Sequence, residues 1–189
     1  MPYRIVFAIS GASGMLLAKT ILEAFASISD LEVYGIVSEN SQQVLNAECE
    51  AEANYFAGLT KELFDPRDMS IGPASGSWQH DGMIVCPCSM STLACIANGC
   101  GRNSIHRAAD VTLKENRPLI LAPREAPLSR IHLRNMLAAS EAGALIFPFM
   151  PAFYKGQLSI EMMMRYYAGR ILDQLRIPHT LISRWRDDK

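Results

Sequence analysis

Apolar residues fill the stretch Tyr3 to Ile9 almost without interruption, as expected of a strand covered on both faces. The run stops at Ser10-Gly11, and Leu17, Ile21, Phe25 and Ile28 then recur at helical spacing, so the chain opens with a strand, a turn and a helix. A second strand, Leu31 to Val37, ends at Ser38 and is followed by a helix from Ser41 through Glu48. Further apolar strands are predicted at Gly82 to Cys86, Leu119 to Ala122 and Ala144 to Phe147, with helical stretches after the first two. Between Ala51 and Ser77 the periodicity weakens around Asp65-Pro66, Gly72-Pro73 and Ser75-Gly76-Ser77, which predicts surface loop and short helix. A second loop, Pro148 to Gln157, leads to a final helix of about Ile160 to Leu175. Strands alternating with helices imply an α/β fold, a parallel sheet with helices on both faces.

The 189 residues suit one domain, spanning 1–189, better than two. With 49% hydrophobic and 20% charged residues, the composition is that of a water-soluble globular protein, and no apolar run is long enough to span a membrane. The amino terminus enters a strand directly, without the features of a signal peptide, so the expected compartment is the cytoplasm. The cysteines Cys49, Cys86, Cys88, Cys95 and Cys100 form an odd set and are read as reduced thiols. Cys86-Pro87-Cys88 lacks paired zinc spacing, and no metal is expected. A net charge of −1 with scattered basic residues excludes a nucleic-acid-tracking face and suits a small anionic ligand.

Ligands of open α/β sheets sit beyond the carboxyl ends of the strands, which makes each strand exit a candidate site. Ser10-Gly11-Ala12-Ser13-Gly14 has two readings. It is a phosphate cradle in which small residues and helix N–H groups approach an anion, or a tight turn with Ser13 as helix cap. Ser38 closes the neighbouring strand as a second phosphate contact or a cap. Ser89, Met90, Ser91 and Thr92 open a helix, where they form another anion cradle or a serine-capped helix start beside buried cysteines. A nucleophilic cysteine is the weaker reading, since only the helix terminus would lower a thiol pKa.

Arg107 and Lys114 lie seven apart on a helical face, within reach of one site or simply solvated, with Asp110 and Lys114 paired. Arg124 and Glu125, stiffened by Pro123 and Pro127, read as a fixed charge pair beside a ligand. Tyr154 and Arg170 offer a phenol and a guanidinium for a phosphate monoester. Trp78 offers a π face for a carbocation or prenyl group, or plain packing. Met162-Met163-Met164 reads as core or subunit interface, and the four histidines as structural or surface residues.

In order along the chain, the segments GASG at Gly11 to Gly14, SGSW at Ser75 to Trp78, PCSMSTLA at Pro87 to Ala94, RAADVTLKE at Arg107 to Glu115, PREAPL at Pro123 to Leu128 and PAFY at Pro151 to Tyr154 resemble the flavin prenyltransferase (UbiX/Pad) family. The resemblance implies a flavodoxin/Rossmann-like three-layer sandwich assembled as a homo-oligomer, often a dodecamer. By position it implies FMN on Gly11, Ala12, Ser13, Ser38, Ser89 to Thr92 and Arg124, and dimethylallyl monophosphate on Tyr154 and Arg170. Arg107, Lys114, Glu48, Glu125, Trp78 and Trp185 match further positions around that pocket, several of them reached across a subunit boundary. The implied reaction joins the dimethylallyl group to reduced FMN at N5 and C6 without a metal, and yields prenylated FMN for a UbiD-type decarboxylase. Cations at Lys114, Arg124 and Arg170 would stabilise the leaving phosphate, Trp78 an allylic cation, and Glu48, Glu125 or the released phosphate itself would handle protons. Ser91 stands where many relatives have lysine, and Ala126 where threonine is commoner.

Two other functions share parts of this pattern. An FMN-dependent cysteine decarboxylase of similar fold would carry an asparagine-rich turn and a P-x-M-N-x-x-M-W segment. This chain instead has Ser89-Met90-Ser91-Thr92 and PREAPLSRIHLRNM, leaving His80 as a candidate base. A non-catalytic flavin-delivery subunit would need the flavin turn without the Tyr154, Arg170 and Lys114 anion site.

Overall fold

The computed structural model describes residues 2–49, 53–153 and 158–183. Two predicted strands are present residue for residue, β1 (Tyr3–Ile9) and β2 (Leu31–Val37). The other strands are β3 (Glu62–Phe64), β4 (Gly82–Cys88), β5 (Leu119–Pro123) and β6 (Leu145–Ile146). They form one sheet in the order β3-β2-β1-β4-β5-β6, with every pairing parallel. This is the doubly wound Rossmann order, and omitting the three-residue edge strand β3 leaves the flavodoxin order. The helices are α1 (Met15–Ala26), α2 (Ser41–Cys49), α3 (Met90–Ala97), α4 (Ser104–Lys114), α5 (Arg130–Glu141) and α6 (Ile160–Gln174).

Strand alternation sorts the core into two layers. Ile5, Phe7 and Ile9 of β1 point into one cluster with Ile21 and Phe25 of α1 and Tyr167, Ile171 and Leu172 of α6. Val6 and Ala8 point the other way, toward Leu93 of α3, Ile105 and Ala108 of α4 and Ala139 of α5. Phe7 meets Phe25 edge-on at 6.2 Å between ring centroids.

β4 shows where the alternation breaks. Met83 and Val85 face the second layer and Ile84 and Cys86 the first, but Cys88 returns to the second, so parity slips by one at Pro87. The β4–β5 register shifts at the same place. A proline has no N–H for the ladder and is tolerated in a central strand at such a bulge.

The expected loop between Ala51 and Ser77 contains β3, which the periodicity did not predict. Glu62-Leu63-Phe64 is too short to show a pattern, and it becomes a strand because β2 offers a free edge at Tyr34 to Ile36. At the other edge, β6 keeps only two of the four predicted residues. Among the described residues no helix is long and apolar enough to cross a membrane.

Candidate active site

β1 lies between β2 and β4, and the helices that follow β1 and β4, α1 and α3, pack on opposite faces, so the crevice between the carboxyl ends of β1 and β4 is the switch point where doubly wound folds bind ligands. Ser10 closes the floor of that crevice. Its side chain is buried, donates to the Pro87 carbonyl at 2.8 Å and accepts from the Ser89 N–H at 2.7 Å. Gly11 follows in a space without room for a side chain, because a Cβ there would lie 2.9 Å from Asn40 Cβ and 3.0 Å from the Asn40 carbonyl oxygen. Gly14 is the N-cap of α1 with φ +121°, a conformation that L side chains rarely adopt.

The structure overturns the helix-cap reading of this turn and narrows the donors open to the cradle reading. Ser13 is not the helix cap, and the first N–H groups of α1 are not free. Gly14 N–H donates to both Glu48 carboxylate oxygens, at 3.1 and 2.9 Å, and Met15 N–H to one of them at 2.7 Å. Glu48, in the last turn of α2, therefore occupies the positive end of α1, where a carboxylate is favoured. Ser13 hydrogen-bonds the same carboxylate through its side chain. The donors left on this turn are the Gly11 and Ser13 N–H groups, which meet no acceptor among the described residues.

Burial raises the Glu48 pKa. The Ser13 bond, the two backbone donors and the charge of Arg124 outweigh that effect and hold it below the ordinary 4.5. A carboxylate with a depressed native pKa stabilises the fold above the unfolded-state pKa, and this is lost as pH falls through the native value. Glu48→Gln is accordingly expected to lower the melting temperature at pH 7, with the gap to wild type closing as pH falls below the ordinary carboxylate range. Thermal melts of both proteins across that range measure it, and a gap that persists at low pH would show that packing, not charge, carries the effect.

The neighbouring exits complete the rim. Ser38 Oγ lies 2.7 Å from Ser41 Oγ, and Ser41 in turn donates to the Ile9 carbonyl at 3.1 Å, which fastens the β2 exit to β1. Ser89 caps α3 by accepting from the Thr92 N–H at 3.2 Å and bonds the Thr92 hydroxyl at 3.1 Å. The Met90 and Ser91 N–H groups at the start of α3 have no acceptor among the described residues, so this helix end keeps its anion-binding capacity. The serine-capped helix start is present, with Cys86 and Cys88 fully buried in the core. Burial pushes the Cys86 thiol up strongly and the Cys88 thiol up to about 12, which removes them as nucleophiles.

Arg124 leaves β5 with its N–H on the Cys88 carbonyl at 3.3 Å. It does not pair with Glu125. Among the described residues there is no ion pair between them, and the Glu125 carboxylate instead accepts from the Ala126 N–H at 3.0 Å, bending back onto its own loop. Arg124 borders two hollows. One, of about 230 Å³, lies between Ser13, Gly14, Pro87 and the apolar side chains of Leu17, Phe149 and Met164. The other, of about 290 Å³, is walled by Arg124, Glu125, Phe149 and Met150. A third, of about 330 Å³, shares Pro148 and Met150 with the second and ends at Arg170, whose guanidinium is 3.5 Å from Asp173. The first two share Arg124 and Phe149 as walls and the last two Pro148 and Met150, so the three hollows follow one another from Ser13 and Gly14 past Arg124 to Arg170.

Phe149 and Met164 were not singled out as ligand contacts by the sequence. Met164 was legible as an inward position, since Met164, Tyr167, Ala168, Ile171 and Leu172 form one buried stripe of α6. That the stripe begins on the first hollow is set by the packing of α6 on α1.

Trp78, Lys114 and Arg107 lie elsewhere. Trp78 precedes the amino end of β4 and packs edge-on against Tyr34 at 4.9 Å, with the Arg4 guanidinium 5.9 Å from its ring. Arg4 stands near the start of β1, whereas the turn leaves its end, so about 20 Å of strand separates Trp78 from the crevice of its own chain. Lys114 Nζ is 2.6 Å from Glu115, and Arg107 pairs with Asp110 at 2.7 Å, in place of the expected Asp110–Lys114 pair. Arg107 also reaches the Ala74 carbonyl at 3.3 Å. Arg117 clamps this loop by donating to the Gly76 and Trp78 carbonyls, each at 2.8 Å, a role the sequence reading did not foresee. His80 is buried beside Trp78, and desolvation pushes its pKa down to about 4, so it is a neutral structural residue remote from the crevice. Tyr154 and Trp185 lie outside the described residues.

A switch-point crevice rimmed by glycine and serine turns, with arginines along a row of hollows, defines a mononucleotide-binding α/β protein. The family model described as Flavoprotein matches residues 1–167. The mitochondrial flavin prenyltransferase PAD1 of Saccharomyces cerevisiae is 43% identical over 188 residues, covering 100% of this chain and 77% of that protein. The flavin prenyltransferase UbiX of Methanothermobacter thermautotrophicus is 40% identical over 181 residues, covering 96% of this chain and 94% of the relative. Among solved structures, AnUbiX (PadA1) in complex with FMN and dimethylallyl pyrophosphate superposes with a TM-score of 0.94 at 40% identity, covering 98% of each chain. A dodecameric FMN-dependent UbiX-like decarboxylase from Escherichia coli O157:H7 does so with 0.92 at 38% identity, covering 97% of this chain and 99% of that one. The peptidyl-cysteine decarboxylase EpiD, at 14% identity and a TM-score of 0.63, shares the fold. The chain belongs to the flavin prenyltransferase family.

Proposed function

We propose that this chain binds reduced FMN at the β1–β4 crevice and joins to it the dimethylallyl group of dimethylallyl monophosphate. The observation that carries the reading is the row of adjoining hollows that begins at Ser13 and Gly14, beside N–H groups of Gly11 and Ser13 without an acceptor among the described residues, and passes Arg124 to Arg170, with an apolar wall of Leu17, Phe149 and Met164. It offers an anion site at either end and an apolar middle, as a flavin phosphate, a prenyl chain and a second phosphate require. The bound flavin supplies the nucleophilic N5 and C6 positions. The chain's residues bind and orient the partners and shield them from water: Arg124 and Arg170, with Tyr154, hold phosphate, and Leu17, Phe149 and Met164 exclude solvent from the alkyl group. Glu48 is held as a carboxylate on Ser13, suited to accept a proton rather than to donate one.

Lys114, Arg107 and Trp78 enter this scheme through a homo-oligomer. Lys114 and Trp78 sit on the amino side of the sheet and Arg107 in the first turn of α4, and the reading assigns all three to the crevice of a neighbouring subunit. The dodecameric relative supports such an assembly for this chain. The product, prenylated FMN, would pass to a UbiD-type decarboxylase.

Anaerobic incubation of the protein with reduced FMN and dimethylallyl monophosphate is expected to release inorganic phosphate and give a flavin heavier by one prenyl unit. Recovery of only unmodified flavin from FMN-loaded protein would refute the catalytic reading. Adding the product to an apo-decarboxylase tests the downstream partner, with regained decarboxylation as the expected result.

A further inference from the structure

Ser10 stands one residue outside the motif that resembles the flavin turn, and its geometry gives it a distinct task. β1 and β4 pair up to Ala8–Val85, after which the bulge at Pro87 turns the strand out of register. The Pro87 carbonyl is taken up by Ser10, from its backbone N–H at 3.2 Å and its hydroxyl at 2.8 Å. The same hydroxyl accepts the Ser89 N–H at 2.7 Å. One buried side chain, 1% exposed, thus spans the two strand exits with a donated and an accepted bond across 77 residues or more of sequence.

The free N–H groups on either side of this bridge are Gly11 and Ser13 from the first exit and Met90 and Ser91 from the second. Each lies within three residues of the Ser10–Ser89 bond, so its length sets how far apart the two donor pairs stand. Glu48 already occupies Gly14 and Met15, which leaves Gly11 and Ser13 as the donors of the Gly11–Gly14 turn without an acceptor among the described residues. We propose that Ser10 is a positioning residue that fixes the spacing of the two exits so that their N–H groups close on one phosphate. It touches neither the flavin nor the prenyl group, and its effect is confined to the phosphate end of the ligand. The proposal rests on the reading that FMN binds here.

The test compares FMN with riboflavin, which lacks the phosphate, by fluorescence titration of the apo-protein. Ser10→Ala keeps the backbone bond to Pro87 and loses both hydroxyl bonds. It is expected to weaken FMN about tenfold, as two hydrogen bonds at a recognition site imply, and to change riboflavin affinity by less than about twofold. Ser10→Cys, close in volume but a poor bridge, is expected to show the same split and serves if the alanine variant does not fold. FMN affinity within about twofold of wild type in the folded variants, or an equal loss for both flavins, would overturn the proposal. Wild-type protein that binds neither flavin would instead sink the functional reading, and the two failures are told apart by the wild-type titration alone.

Discussion

Co-expressed Arg124→Ala and Lys114→Ala chains are expected to assemble into an active enzyme although each variant is inactive alone. Removing one cation that stabilises developing phosphate charge costs about 10²–10³ in kcat, so each homogeneous variant falls close to background. If every site takes Arg124 from one chain and Lys114 from a neighbour, random mixing leaves about a quarter of the sites with both residues intact. Prenyl transfer should therefore return to about a quarter of the wild-type rate per site, far above either variant. The physical ground is the separation of the two residues in one chain. Arg124 leaves the carboxyl end of β5, while Lys114 ends α4 against the Gly76 loop, which enters the amino side of the sheet. Purified mixed oligomers with no more activity than the homogeneous variants would show that Lys114 does not complete a neighbour's site.

Gly11→Ala is expected to be far more damaging than Gly76→Ala, although the second position has the shorter contact. A Cβ on Gly76 would lie 2.3 Å from Glu115 Oε1 and 2.9 Å from Lys114 Nζ. Both are ends of long, partly exposed side chains that can swing away, so the cost is a displaced surface ion pair and little change in melting temperature. A Cβ on Gly11 would meet Asn40 Cβ at 2.9 Å and the Asn40 carbonyl oxygen and carbon at 3.0 and 3.1 Å. The Asn40 backbone is held between Ser38 and Ser41, which are fastened to the Ile9 carbonyl, so it yields only if the two exits part. We expect a loss of about 1–3 kcal/mol, as in overpacked cores, seen as a melting temperature lower by about 2–4 °C per kcal/mol. FMN affinity should fall with it, because Gly11 carries one of the free donors. Equal melting temperatures for the two variants would contradict this ranking.

Much of the architecture was legible from local pattern. β1 and β2 were bounded to the residue, because a strand buried on both faces is an apolar run that ends abruptly at a polar turn. β3 and β6 were missed or overextended for the converse reason. Two- and three-residue edge strands carry no periodicity, and their existence depends on a neighbour's unpaired edge. The turns that rim the crevice were also visible, because close backbone approach demands glycine and small hydroxyl residues wherever it occurs.

What the sequence by itself determined, then, was the alternation of strands and helices, the glycine and serine turns at the strand exits, and a set of charged residues able to hold phosphate. Only the tertiary structure decided how these combine. It placed Glu48 on the end of α1, used Ser10 to join the exits of β1 and β4, turned Glu125 away from Arg124, and put Trp78 and Lys114 at the far edge of the sheet. The reason is range. Strand and helix follow from contacts between residues a few positions apart, whereas Glu48 meets Gly14 across 34 residues and Ser10 meets Pro87 across 77. Those meetings are set by strand order and by the bulge at Pro87, which no short window of sequence contains.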